Sequence, residues 1–93
     1  MTMSLNGRCF PASTAYPQRL SQKSIVVSRV DVAAYQSNAG RVYVAKNRIY
    51  GTVGKETAPG LSLDDIITFE NVDLRDIWVA IVTAGDGVLW MTD

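Results

Sequence analysis

Two apolar segments close to the C-terminus decide the fold: 77-IWVAIV-82 and 88-VLWM-91, with 84-AGDG-87 between them. The first segment is apolar on both faces, which is typical of a central strand in a packed sheet. The Asp86-Gly87 pair favours a tight turn, because such turns need positive φ angles that these residues tolerate. We therefore predict two neighbouring strands joined as a hairpin within an all-β domain.

Upstream of this hairpin, apolar and polar residues alternate in two further segments, 29-RVDVAA-34 and 41-RVYVA-45. Strict alternation indicates half-buried strands. The polar segment that ends in 38-NAG-40 predicts the turn between them, residues 46–47 predict a turn into a strand at 48–50, and residues 51–60 read as a loop. Counting a strand at 63–70 and a corner at 71–75, six short strands recur at intervals of roughly ten residues. This spacing predicts a small antiparallel β-sandwich or barrel.

The segment 63–70 has two interpretations. Ser62 followed by Asp65 resembles a helix-capping pair, which favours a single helical turn at residues 63–65. The β-branched and aromatic residues of 66-IITF-69 favour a strand instead. We predict a strand here and leave the helical turn open.

Residues 1–22 show neither the helical nor the strand periodicity of apolar residues, and they contain Gly7, Pro11 and Pro17. This predicts an extended N-terminal arm ahead of a sandwich domain at 23–93. Phe10, Tyr16 and Leu20 are the expected anchors of this arm on a neighbouring subunit. Two alternatives remain open, a terminus lying on its own domain and a disordered leader.

The composition excludes several classes of function. The 93 residues carry nine Lys+Arg and nine Asp+Glu, so the net charge is zero and no basic footprint for nucleic acid is expected. There is no histidine, so triads and histidine metal sites cannot form within the chain. The longest apolar run, residues 77–82, is far shorter than the ~20 residues of a membrane helix, and no signal peptide is recognisable. We expect no enzyme activity, catalytic residue, cofactor, metal, nucleic acid or membrane.

Two patterns could suggest chemistry but have simpler interpretations. Five aspartates near predicted turns could bind calcium, yet their spacing is not that of an EF-hand, and aspartate is an ordinary turn residue. They are Asp64, Asp65, Asp73, Asp76 and Asp86. The segment 51-GTVGKE-56 lacks the Ser/Thr that a phosphate-binding loop requires after its lysine. We interpret both patterns as turn and loop chemistry.

The aromatic residues and the single cysteine also allow alternatives. Trp78 and Trp90, on two strands of one hairpin, could share a face and, with Tyr43 and Tyr50, form a sugar-stacking platform. We favour core or subunit-interface roles for the tryptophans, because a strand pair that is apolar on both faces must cover its second face with another molecule. Cys9 is a bystander thiol or an intermolecular contact.

Four segments taken together carry a resemblance: 38-NAGRVYV-44, 58-APGLS-62, 72-VDLRDIWV-79 and 84-AGDGV-88. In order and spacing they resemble a group of small β-sandwich virion proteins of tailed bacteriophages, over residues 24–93. Leu61 stands where that pattern often has Glu, Arg75 where it has Ser, and Trp78 where it has Tyr.

The resemblance implies a non-enzymatic structural protein of the virion, made in the cytoplasm of the host bacterium. The first interpretation is a capsid decoration (cement) protein that stabilises the head by bridging subunits as a homo-oligomer, for which a trimer is one symmetry. A neck, tail or fibre-attachment protein is the alternative, and a small carbohydrate-binding module is a third. The expected partners are the major capsid protein or other virion proteins. The expected interface residues are Phe10, Tyr16, Leu20, Trp78 and Trp90.

Overall fold

A computed structural model of the chain describes residues 5–46, 60–62 and 64–92. These residues form two antiparallel sheets of four strands each, which confirms the predicted all-β sandwich. The strands are β1 (Asn6–Cys9), β2 (Gln18–Arg19), β3 (Val26–Ala34), β4 (Val42–Ala45), β5 (Gly60–Leu61), β6 (Ile66–Asp73), β7 (Trp78–Ile81) and β8 (Val88–Thr92). One turn of 3₁₀ helix, Leu74–Asp76, joins β6 to β7.

The two sheets take alternate parts of the chain. The first sheet has the strand order β1-β8-β3-β6 and the second has β2-β7-β4-β5. Consequently β7 and β8, which follow one another along the chain, lie in different sheets, and the predicted hairpin between them is wrong. Each is an interior strand that pairs on both sides, β7 with β2 and β4, and β8 with β1 and β3. Residues 82–87 cross from one sheet to the other instead.

The core lies between the sheets and is built from one face of each. Val42 and Val44 of β4 alternate with half-buried residues, as predicted, and Val79 and Ile81 of β7 are fully buried beside them. The first sheet contributes Val30, Val32 and Val88. Leu74 and Ile77, from the 3₁₀ turn and the residue after it, close one end of this core. Burying such a side chain contributes about 1.5–3 kcal/mol, so this layer dominates stability.

The long pair β3–β6 changes face in its middle. Two successive pairs of this ladder contact the core, Val27 opposite Val72 and Val30 opposite Phe69. On each strand these core-facing residues are separated by two residues, whereas regular alternation would separate them by one. The intervening residues are exposed on both strands: Ser28, Arg29, Glu70 and Asn71. Asn71 has φ of 50°, a left-handed conformation that asparagine tolerates. Strict alternation therefore fails at this point.

Residues 6–9 and 18–20, which the sequence predicted as part of an arm at 1–22 ahead of a domain at 23–93, pair with strands of the sandwich. β1 pairs with β8, β2 pairs with β7, and the Leu20 N–H donates to the Ile77 carbonyl at 2.7 Å. Cys9 and Leu20 are core residues. Gly7, Pro11 and Pro17 limit the strands to four and two residues, too short for a periodic signal.

The turn before β6 contains part of the predicted capping pair. The Asp65 carboxylate accepts from the Ser62 N–H at 2.8 Å, while the Asp65 N–H donates to the Ser62 carbonyl at 3.1 Å. Asp64 between them has φ of 71°, and β6 begins at Ile66. Leu63, the strand predicted at 48–50 and residues 51–59 of the predicted loop lie outside the described residues.

Gly7→Ala is expected to destabilise the sandwich by about 1–3 kcal/mol, the usual cost of overpacking. Gly7 pairs with Trp90, and a Cβ at Gly7 would lie 2.5 Å from Cζ2 of the indole. Urea unfolding followed by tryptophan fluorescence measures the loss. Gly60→Ala is the matched control, because its Cβ would come no closer than 3.1 Å to any other atom, the Cε1 of Tyr43. Equal effects of the two substitutions would contradict this account of Trp90 packing.

Candidate functional site

The three anchors predicted in the N-terminal segment lie in different environments. Phe10 is half-buried and packs edge-on against Tyr35, with ring centroids 5.1 Å apart. Leu20 is only 4% exposed, so its side chain packs in the core and is not presented at the surface of the chain. Tyr16 is 69% exposed and is the anchor that another molecule could reach.

The two tryptophans do not share a face, which speaks against the alternative of a sugar-stacking platform. Trp90 is half-buried on the inner face of the first sheet, where its indole covers Gly7. Trp78 belongs to the second sheet and alternates with the inward Val79. The Arg19 guanidinium lies 4.4 Å from the centroid of the Trp78 ring and donates to the Arg75 carbonyl at 2.8 Å. A cation therefore already stacks on this indole, and Tyr50 lies outside the described residues.

A largely apolar patch covers the outer face of the first sheet. Three large side chains in it are well exposed: Ile66 at 63%, Leu89 at 40% and Met91 at 58%. The strand register aligns Leu89, Ala33 and Ile66 in one row across β8, β3 and β6. We call Ala33, Ile66, Leu89 and Met91, together with the surrounding polar residues Asn6, Arg8 and Asp31, the outer patch. They line a depression of about 530 Å³ that Gly7 and Trp90 also border.

One acid of the outer patch is held by its neighbours. Thr68 Oγ1 donates to Asp31 Oδ1 at 2.6 Å, and Arg29 Nε lies 3.4 Å from the same oxygen. The hydrogen bond from Thr68 is the main reason that the pKa of Asp31 lies below its ordinary value, with a smaller contribution from the Arg29 charge. The patch therefore keeps a negative charge beside Met91 at neutral pH.

A polar groove of about 550 Å³ lies at another part of the surface, lined by Arg19, Lys46, Asn71, Val72, Asp73, Asp76 and Trp78. Asp73 is its most connected residue. Its carboxylate accepts from the Ser24 hydroxyl and from the backbone N–H groups of Ile25 at 3.0 Å and Arg75 at 2.9 Å. These bonds, led by the one from Ser24, lower the pKa of Asp73, and they cap the 3₁₀ turn. The groove thus contains a structural carboxylate and equal numbers of opposite charges.

The remaining predicted aspartates follow the turn interpretation. Asp86 is 3% exposed; its Oδ1 accepts from the Ala39 N–H and its Oδ2 from the Gly40 N–H, both at 2.9 Å. Asn38 bonds reciprocally with the Gly87 backbone, donating to the carbonyl at 2.8 Å and accepting from the N–H at 2.9 Å. We call Asn38 and Asp86 the corner clamp, because they join the two crossings between sheets. Within the described residues, no group of three or more acidic or cysteine side chains converges to hold a metal ion.

Cys9 is buried, and its thiol donates weakly to the Arg19 carbonyl at 3.5 Å. Burial raises its pKa to about 11. We expect the folded protein at pH 8 to react with a disulfide reagent at least ~100-fold more slowly than the protein unfolded in urea, because the thiolate is scarce and shielded. A native rate close to that of the unfolded chain would show that the thiol is accessible.

The lowered pKa values of Asp31 and Asp73 predict acid sensitivity. A carboxyl whose folded-state pKa is depressed stabilises the fold fully above its unfolded pKa of about 3.9, and this stability is lost as the pH falls through the folded value. We expect the urea midpoint to fall below about pH 4. Asp73→Asn should flatten this fall and Ser24→Ala should flatten it partly. An unchanged slope in Asp73→Asn would contradict the assignment.

No protein-family model, curated protein or solved structure matches this chain. Of the residues that the structure describes, none belongs to a helix long and apolar enough to cross a membrane. The candidate functional site is therefore defined by geometry, and the outer patch is the strongest candidate.

Proposed function

We propose that this chain is a non-enzymatic structural protein of a tailed-phage virion, and specifically a capsid decoration protein that stabilises the head by bridging capsid subunits. The single observation that carries the proposal is the outer patch, where Ile66, Leu89 and Met91 are exposed together on a sheet face. Large exposed apolar surfaces mark interaction sites. A protein that works by burying such a surface needs no reaction chemistry.

The energy available from the patch favours a multivalent role. Burying a fully exposed side chain of this kind contributes about 1.5–3 kcal/mol, so three that are roughly half exposed contribute on the order of 2–5 kcal/mol. Association itself costs about 4–15 kcal/mol, so one patch alone does not hold a partner tightly. Repeated attachment across a symmetric lattice makes each later contact effectively intramolecular. An oligomeric protein on a capsid meets this requirement.

The resemblance to phage virion proteins is in residues that stabilise the fold, and not in the exposed residues of the outer patch. Two of its segments, 38–44 and 84–88, meet at the corner clamp, where Asn38 bonds with Gly87 and Asp86 with Gly40. Those matching residues therefore have a structural reason to occur together. The virion role depends on the exposed patch and must be tested there.

The test is immunogold electron microscopy of particles of the phage whose genome encodes this chain. Label spread over the head supports decoration, and label at one vertex or on the tail favours the neck, tail or fibre alternative. Copy number separates the two further, since a head coat needs hundreds of copies and a neck ring about a dozen by the symmetry of such assemblies. Particles without label would overturn the proposal.

Binding of the purified chain to heads that lack it links the location to the patch. Met91→Lys places a charge in the patch and should reduce binding at least ~10-fold, because an unpaired charge must be desolvated on docking. Val26→Lys is the matched control: Val26 is 76% exposed and lies five residues along β3 from Asp31. Equal binding by both variants would show that the outer patch takes no part in assembly on the head.

A further inference from the structure

We propose that the occupant of the outer patch is a second copy of this chain, related by a two-fold axis. The inference rests on the proposed function in one respect, that the outer patch is the surface used for assembly. It adds the identity of the partner on that surface and the residues that align the two copies.

The patch is self-complementary in its arrangement of charge. Arg8 on β1 is level with Leu89, and Asp31 on β3 is level with Met91, so the cation and the anion lie diagonally on either side of β8. Neighbouring strands are ~4.8 Å apart, and successive outward residues of one strand are ~7 Å apart. Leu89 and Met91 of β8 therefore fill the space between the charged side chains of Arg8 and Asp31. The two-fold axis runs parallel to the sheet, above the Trp90 position of β8 and perpendicular to the line from Arg8 to Asp31. It places Arg8 of each copy opposite Asp31 of the other. The same operation brings the apolar residues of both copies together.

The available partners of the two charges fit this arrangement. Within the described part of the chain, the Arg8 side chain makes no hydrogen bond or ion pair, and it is exposed. Asp31 accepts from Thr68 and contacts Arg29 through Oδ1, which leaves Oδ2 for a further donor. A carboxylate can accept several hydrogen bonds, so the partner's guanidinium adds to these contacts and does not replace them. The zero net charge of the chain removes long-range repulsion between copies.

The size of the patch sets the expected strength. Four strands by five residues span roughly 19 by 17 Å, on the order of 300 Å² in projection. Stable dimers bury about 800 Å² per partner, so this interface alone gives a weak dimer. We expect a dissociation constant of about 10 µM to 1 mM in solution.

Sedimentation equilibrium of the purified chain from about 1 µM to 1 mM tests the inference through a charge swap. Arg8→Glu and Asp31→Lys each place like charges together at two symmetric positions and should weaken the dimer about tenfold or more. The double variant restores opposite charges and should return to within about threefold of the unmodified chain. Val26→Lys should leave the constant unchanged. Thermal unfolding of each variant checks that the fold is intact, and Met91→Lys, which leaves the Asp31 contacts unchanged, should also weaken the dimer.

Each result bears on the inference. A monomer at 1 mM, a trimer, an association insensitive to Met91→Lys, or a double variant without recovery would overturn it. A monomer combined with gold label on heads would remove the self-association and leave the virion role. A dimer with the expected charge-swap pattern, combined with unlabelled particles, would leave the self-association and remove the virion role.

Discussion

Replacing Asp86 with alanine is expected to lower the free energy of unfolding by about 3 kcal/mol. Asp86 is 3% exposed, and its carboxylate accepts partly buried hydrogen bonds from two backbone N–H groups, those of Ala39 and Gly40. Its removal leaves both donors without an acceptor, and each such donor costs about 1–3 kcal/mol. A chain of this length has only about 5–14 kcal/mol of stability, so the loss is a large fraction of the total.

Urea unfolding followed by tryptophan fluorescence measures this effect, and two further variants interpret it. Asp86→Asn keeps the shape but replaces one accepting oxygen with an NH₂ group that faces a backbone N–H donor, so at least half the loss is expected. Asp76→Ala removes an exposed carboxylate from the 3₁₀ turn and should change stability by less than about 0.5 kcal/mol. A loss below about 1 kcal/mol for Asp86→Ala would mean that water or a rearranged loop replaces the carboxylate.

The corner clamp illustrates what the sequence can and cannot predict. The segments 38-NAG-40 and 84-AGDG-87 are recognisable as turns because Asn, Asp and Gly favour turn conformations locally. That Asn38 and Asp86 bond to the opposite segment depends on the sheet topology, since almost fifty residues separate the partners. The turns were therefore predictable, and their joint function as a clamp was not.

The positions of the longer strands depend on local sequence, whereas their pairing depends on contacts between distant parts of the chain. Alternation or continuous apolarity marked β3, β4, β7 and β8, because each has enough residues to display a period. β2 and β5 have two residues each, which is too few for any pattern. Pro59 and Gly60 also led to the prediction of a loop where β5 begins. By local rules the Asp-Gly turn predicted a hairpin, but this prediction is wrong because β7 and β8 lie in different sheets and each pairs with two other strands. Local chemistry does not specify which strands pair.

The outer patch was predictable in part. Leu89 and Met91 belong to a segment that is apolar on both faces, and this pattern alone predicted a second covered face. Ile66 and Ala33 joined the patch only through the register of β3 with β6 and β8. The sequence also favoured Trp78 and Trp90 for an interface, since large aromatic residues are common there, but both pack mainly within the chain.

Removal of residues 1–22 is expected to abolish folding, although the sequence alone predicted that the remainder would be a folded domain. The truncation removes β1, the edge partner of β8, and β2, the edge partner of β7. It also removes Cys9 and Leu20 from the core, and loss of a buried leucine alone costs about 2–5 kcal/mol. Together with the exposed inner faces of two strands, this loss is comparable to the whole stability of about 5–14 kcal/mol.

Circular dichroism and urea unfolding of residues 23–93 test this expectation, and a peptide provides the control. The truncated chain should show no cooperative transition, whereas adding a synthetic peptide of residues 5–22 in excess should restore one, because the peptide can pair with the free edges of β7 and β8. Leu20→Ala in the peptide should weaken this rescue through the lost core contact. A cooperative transition of the truncated chain alone, at the midpoint of the full chain, would instead mean that the N-terminal segment is an arm and that its strand pairing adds nothing to the fold.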